Sequence, residues 1–140
     1  MYFAKVEPTI DAFKFLVSQV IRADQEYINT QVGNWQLCDY NTYGNVHYAP
    51  SPPAEPGTPD GGTPIRANFP GTGYTFDLNY TVGAYVGIFY APQPYPSWVL
   101  NTSNFLWEAP VAIPTELLPE GEVYQWNEAT KSWIIVTVGA

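Results

Sequence analysis

Asn101 stands six residues before Trp107, and Asn127 stands six residues before Trp133. The two stretches are "SWVLNTSNFLWEAP" (97–110) and "YQWNEATKSWIIV" (124–136). An exposed indole face can stack on a pyranose ring, and Asn101, Asn127 or Glu108 could bond its hydroxyls. The competing explanation is packing, because hairpins with little else to bury use Trp as an anchor in a core or against a neighbour. The other reactive residue types are sparse. His47 in "GNVHY" has no Ser, Cys or Asp motif beside it and reads as structural or exposed rather than catalytic. Cys38 alternates with strand residues and reads as a small buried hydrophobe, since a nucleophile would need a base. The acid pairs Glu116 with Glu120 and Glu120 with Glu122 fall in a Pro- and Gly-rich connection and read as solvated. Asp60 and its glycines lack the ordered acid spacing of a calcium loop. No phosphate loop, dinucleotide fingerprint, nucleophile elbow or zinc spacing is present. The expectation is a protein that is not an enzyme, with no cofactor and no metal.

What must position these residues is a small β-rich chain. A length of 140 residues suits one domain with a modest core. Aromatics reach 16%, with 14 Pro and 11 Gly, and this excess of turn formers and strand formers favours strands and loops over helices. The net charge of −8, with only five Lys and Arg, disfavours a phosphate backbone or an anionic membrane as partner. No run of 18 apolar residues could span a bilayer, and "MYFAKVEP" does not read as a signal peptide. A single Cys cannot form an internal disulfide.

Alternation predicts strands over 2–6 and 13–22, with Phe13, Phe15 and Val17 on one face, joined into a hairpin by "EPTIDA". One or two helical turns are expected over 23–30 and a third strand over 34–40. Residues 49–64, "APSPPAEPGTPDGGTP", read as an extended linker or surface arm, which is a spacer, an arm on a neighbouring subunit or a solvated excursion. The arm divides an N-terminal part (1–48) from a C-terminal part (65–140) within one domain. The C-terminal part reads as three successive hairpins. "FDLNY" with "FYAP" begins the series, and the two Trp segments follow. The expected Trp hairpins have three-residue loops begun by Asn101 and Asn127, with Asn104 and Thr130 in the left-handed position and Leu100 facing Leu106. The fold class is therefore all-β or β-dominated: a small single domain of successive hairpins, at most one short helix, and a Pro-rich surface arm.

"MYFAKV…VSQVIRADQEYINT", "YNTYGNVHY", "PIRANFPGTGYTFD" and "PYPSWVLN…LWEAPV…YQWNEATKSWIIV" occur in that order over nearly the whole chain. Together they resemble a family of small virion structural proteins encoded by tailed bacteriophages, notably those of cyanobacteria. The resemblance implies no catalytic residues. This chain departs from it by longer inserts at "EPTIDAFKF" and "LNYTVGAYVGI", which as hairpin tips would vary the contact with a particular neighbour.

The resemblance implies a non-enzymatic virion structural protein, and a small acidic chain with surplus aromatics and a Pro-rich arm suits docking on the outside of the particle, with capsid decoration favoured over a tail, baseplate or tail-fibre accessory. Its partners would be the major capsid protein or tail proteins, with several copies per virion or a homo-oligomer. The expected interface anchors are Phe89, Tyr95, Trp98, Trp107, Trp126 and Trp133. Two other roles stay open, a carbohydrate-binding module for host attachment and an assembly chaperone absent from the finished particle.

Overall fold

Strand β1 (Tyr2–Pro8) pairs antiparallel with β2 (Lys14–Arg22), forming the N-terminal hairpin that alternation predicts. These elements belong to a computed structural model that describes residues 1–50 and 57–139. The hairpin tip is held by its own polar side chains: Thr9 Oγ1 donates to the Lys14 carbonyl at 2.7 Å, and Asp11 Oδ1 accepts from Phe13 N–H at 2.9 Å. The pairing shifts register between Lys5 and Val6, so one extra residue of β2 is accommodated opposite β1. That bulge changes the side-chain phase, and Val17 and Val20 both reach the core despite their odd spacing. Phe13, expected on the face of Phe15 and Val17, lies just before the strand and is 57% exposed.

The helix expected at 23–30 is α1 (Gln25–Asn29). Asp24 caps it, accepting Tyr27 N–H at 2.8 Å, and Ile28 is its buried residue. Strand β3 (Asn34–Cys38) then pairs antiparallel with the free side of β1. A small hairpin, β4 (Thr42–Tyr43) with β5 (Val46–His47), follows. Its turn residues Gly44 and Asn45 both have positive φ, 59° and 61°, which matches the right-handed twist of a two-residue hairpin loop. Strands β6 (Thr75–Val82) and β7 (Tyr85–Tyr90) complete a five-stranded sheet in the order β3-β1-β2-β6-β7. Ala4, Val6, Val17, Cys38, Phe76 and Phe89 form its core.

The sheet curls until its outer strands nearly meet, and Arg66 closes the seam. Its Nε donates to the Leu37 carbonyl of β3 at 3.0 Å, while Nη1 donates to the Val86 and Gly87 carbonyls of β7. Opposite edges of the sheet therefore lie within one guanidinium's reach. Nη2 donates to Gln36 Oε1, and the guanidinium lies 5.2 Å from the Phe76 ring centre and 4.9 Å from that of Tyr85. Arg66 is 8% exposed, and burial pulls its pKa below the usual arginine value. Carbonyl dipoles and ring faces thus stand where a counter-ion would usually be. Backbone bonds from Phe89 N–H to the Arg66 carbonyl and from Phe69 N–H to the Thr42 carbonyl hold segment 65–69 in the seam. Arg66 and Ala67 both adopt left-handed φ, 54° and 70°.

The chain groups into two compact units, 1–92 with 102–106, and 93–101 with 107–140. In the first, Phe105 is 4% exposed, packs edge-on to the Tyr80 ring at 5.2 Å, and accepts from Asn68 Nδ2 at 3.1 Å. The second contains β8 (Val99–Leu100) paired with β9 (Trp107–Glu108) and β10 (Glu122–Asn127) paired with β11 (Ser132–Thr137). The expected β-dominated architecture of antiparallel hairpins with one short helix is what the chain adopts, including the three-hairpin series β6–β7, β8–β9 and β10–β11.

The turns differ in detail from the sequence reading. Leu100 pairs with Trp107 instead of Leu106, and the left-handed residues are Phe105 (φ 56°) and Lys131 (φ 50°) instead of Asn104 and Thr130. In both copies the left-handed position falls four residues after the Asn rather than three, so the repeat is genuine but its loops are longer. Asp77 lies inside β6, 2% exposed. Its Oδ1 accepts Asn79 N–H and its Oδ2 accepts the Tyr90 hydroxyl at 2.7 Å, which secures the irregular register between Asp77 and Thr81. Residues 51–56 of the Pro-rich arm lie outside the described residues. Its later part returns along β5, with Ala49 N–H donating to the Thr58 carbonyl and Tyr48 bridging to Pro59.

Candidate functional site

Four of the six expected anchors come together in the second unit. In β10, side chains alternate, so Tyr124 and Trp126 share one face of the ribbon with their cross-strand partners Ile135 and Trp133. The connection before β8 lays Trp98 on that face. Gln93 Nε2 holds it there by donating to the Trp98 carbonyl at 2.9 Å and to the Pro96 carbonyl at 3.3 Å. The three indoles form a triangle of edge-on contacts: Trp98 to Trp126 at 6.0 Å, Trp98 to Trp133 at 6.0 Å, and Trp126 to Trp133 at 5.2 Å. Tyr95 extends it with a tilted contact to Trp98 at 5.6 Å. Trp126 is 4% exposed and is the cluster's buried centre.

Packing dominates this cluster. Trp98 Nε1 and Trp126 Nε1 are buried without a protein hydrogen-bond partner. Each such edge-on pair contributes about 0.5–1.5 kcal/mol beyond its buried area. Trp133 is the exception, donating from Nε1 to the Val111 carbonyl at 2.8 Å, which draws the segment after β9 alongside β11. The result is an open groove of about 510 Å³ walled by Trp98, Trp133, Val111 and Ile113, with Glu108 among its lining residues. Asn101 Nδ2 donates to Glu108 Oε1 at 2.8 Å, so the amide of the repeat positions the carboxylate. Glu128 Oε1 accepts Ser97 N–H at 3.2 Å.

Phe89 stands apart: it is fully buried in the first unit's core, 5.0 Å from the Phe76 ring, and presents no surface to a neighbour. Trp107 is half-buried in β9 opposite Leu100. Of the hydroxyl-binding candidates, Asn101 Nδ2 is committed to Glu108 Oε1, while Asn127 Oδ1 accepts Thr130 N–H at 3.1 Å and stabilises its own turn.

The opposite face of the β10–β11 ribbon has no such cover. It carries Val123, Ile134 and Val136, of which Val123 is 44% and Ile134 36% exposed. Val99, Val111, Ile113, Ile135 and Val138 are each at least half exposed in the same unit.

A second constellation in the first unit was not legible from the sequence. His47 Nε2 lies 3.1 Å from Asp39 Oδ2, and Nδ1 lies 2.7 Å from Asp60 Oδ1. Only the imidazolium donates from both nitrogens, so the two carboxylates hold the ring protonated. Its pKa is raised, chiefly by the hydrogen bond to Asp60, and that bond together with the Gly62 N–H lowers the pKa of Asp60. A Cβ on Gly62 would fall 2.7 Å from His47 Nδ1, so glycine there permits the close approach. Asp39 and Asp60 flank His47 from 8 and 13 residues away, with no local pattern to reveal them. Cys38 is 2% exposed, and burial pushes its thiol up to about 12, in keeping with a packing role. Among the described residues, no group of three or more His, Cys, Asp or Glu is arranged to hold a metal ion, and no helix is long and apolar enough to cross a membrane.

No family model, no curated protein and no solved structure matches this chain.

Proposed function

We propose that this chain is a non-enzymatic structural protein of a tailed-bacteriophage particle, attached to the particle's outside through its second unit, with capsid decoration as its station. The sequence resemblance supplies the setting. The observation that carries the attachment is the bare face of the β10–β11 ribbon, where Val123 and Ile134 remain exposed on an element that pairs with no third strand among the described residues. Isolated ribbons of this kind are marginal in water and gain stability when another surface covers them. The indole triangle keeps the ribbon shaped before docking, so little ordering remains to be done on contact.

The test is occupancy. Phage carrying Ile134→Asp, a change on the bare face, should assemble particles with much less of the protein, while the purified variant keeps its circular-dichroism spectrum and unfolding midpoint. Full occupancy of a normally folded Ile134→Asp protein would refute the attachment. A tail, baseplate or fibre station is separated from decoration by copy number.

A further inference from the structure

We infer that the Trp98–Trp133 groove binds a Lys or Arg side chain carried on an extended segment of the partner protein. This rests on the docking role proposed above and names the partner's chemistry. Two features of the groove select a cation with an aliphatic stem. Its walls are apolar, two indoles with Val111 and Ile113, and its acidic lining residue is Glu108, positioned by Asn101 at 2.8 Å. Indole rings attract ammonium and guanidinium groups, the methylene stem of either side chain packs on Val and Ile, and the carboxylate meets the charge.

Charge complementarity decides between occupants. The second unit carries five glutamates (Glu108, Glu116, Glu120, Glu122, Glu128) against one lysine, Lys131. A second copy of a chain with net charge −8 would bring like charge to this surface. A basic partner is drawn to it, and the attraction steers association. A glycan would need several converging hydroxyl partners. Asn101 is committed to Glu108 and Asn127 to its own turn, which leaves the groove poor in such groups.

The test uses the full-length protein and blocked pentapeptides with a central Arg flanked by valines, followed by tryptophan fluorescence and by NMR of the indole N–H signals. The controls replace Arg with norleucine or Glu, and a panel of oligosaccharides is titrated in parallel. The Arg peptide should bind roughly five-fold or more tightly than the norleucine peptide, weaken with added salt, and perturb the Trp133 and Trp98 signals. Glu108→Gln, at an exposed position, should remove most of that preference without altering the fold. Equal binding of the Arg and norleucine peptides, no binding of any peptide, or binding of an oligosaccharide at these indoles would each overturn the inference. Particle occupancy separates this claim from the one it rests on. Normal occupancy of Glu108→Gln protein refutes the groove's role while leaving attachment intact. Arg-selective binding by a protein that is absent from particles refutes attachment while leaving the groove intact.

Discussion

Replacing Trp126 with Ala tests whether the indole triangle is the core of the second unit. The side chain is 96% buried by its 4% exposure and touches the Trp98 and Trp133 rings edge-on at 6.0 and 5.2 Å. Truncating a buried Trp typically costs about 3–5 kcal/mol, which already includes lost pair contacts of the kind made here. A folded unit of this size, with two short hairpins, holds on the order of 2–6 kcal/mol in total. The loss therefore matches or exceeds what the unit has, and Trp126→Ala should leave β10 and β11 without protection from hydrogen exchange. Strands β1, β2 and β6, built on Phe76, Phe89 and Val17, should keep theirs. Trp126→Phe retains a ring and should lose only part of the stability. Amide exchange mapped residue by residue, beside urea unfolding, measures both. A loss below about 1 kcal/mol with β10–β11 protection intact would show that the triangle is not the unit's core.

Other outcomes follow from the first unit. Gly87 has φ +94°, and a Cβ there would fall 2.6 Å from Phe76 Cε1 and nearer still to Cζ, so Gly87→Ala should destabilise by about 2–4 kcal/mol in urea unfolding. Gly83→Ala shares a positive φ of 61° but meets nothing within 4 Å, so it should lose only about 1 kcal/mol; equal losses would contradict the clash. The His47 bridge gives a pH signature. A raised His47 pKa contributes stability that is fully present below 6.5 and lost as pH rises through its folded value. A lowered Asp60 pKa contributes stability present above 3.8 and lost as pH falls through its folded value. The difference in unfolding midpoint between native protein and His47→Gln should therefore peak between 3.8 and 6.5 and shrink in alkaline buffer. A pH-independent difference would show that the bridge is not ionic.

What the sequence disclosed was whatever local chemistry controls. Alternation located β1, β2 and β3, strand-forming residues located β6 and β7, and the helix expected over 23–30 contains α1. The six-residue Asn-to-Trp spacing marked two real hairpins. The position of their left-handed residue was misplaced by one, because Asn127 bonds Thr130 N–H three residues on instead of two. The β4–β5 hairpin went unread although "YGNV" carries a Gly-Asn turn signal, since two-residue strands offer no alternation to count. Arg66 closing the sheet, and His47 between Asp39 and Asp60, depend on residues joined only by the fold. That aromatic residues would anchor the packing of the hairpins was legible as one reading of the Trp segments. Which of them were core was not, because Phe89 and Trp126 are buried by partners that composition does not reveal.

The central claim is attachment to the outside of a phage particle, and counting copies of this protein in purified particles tests it most directly. The account expects hundreds of copies per particle, removable from the surface without loss of the packaged genome. Six, twelve or eighteen copies would move the station to the tail, and particles free of the protein would contradict the account.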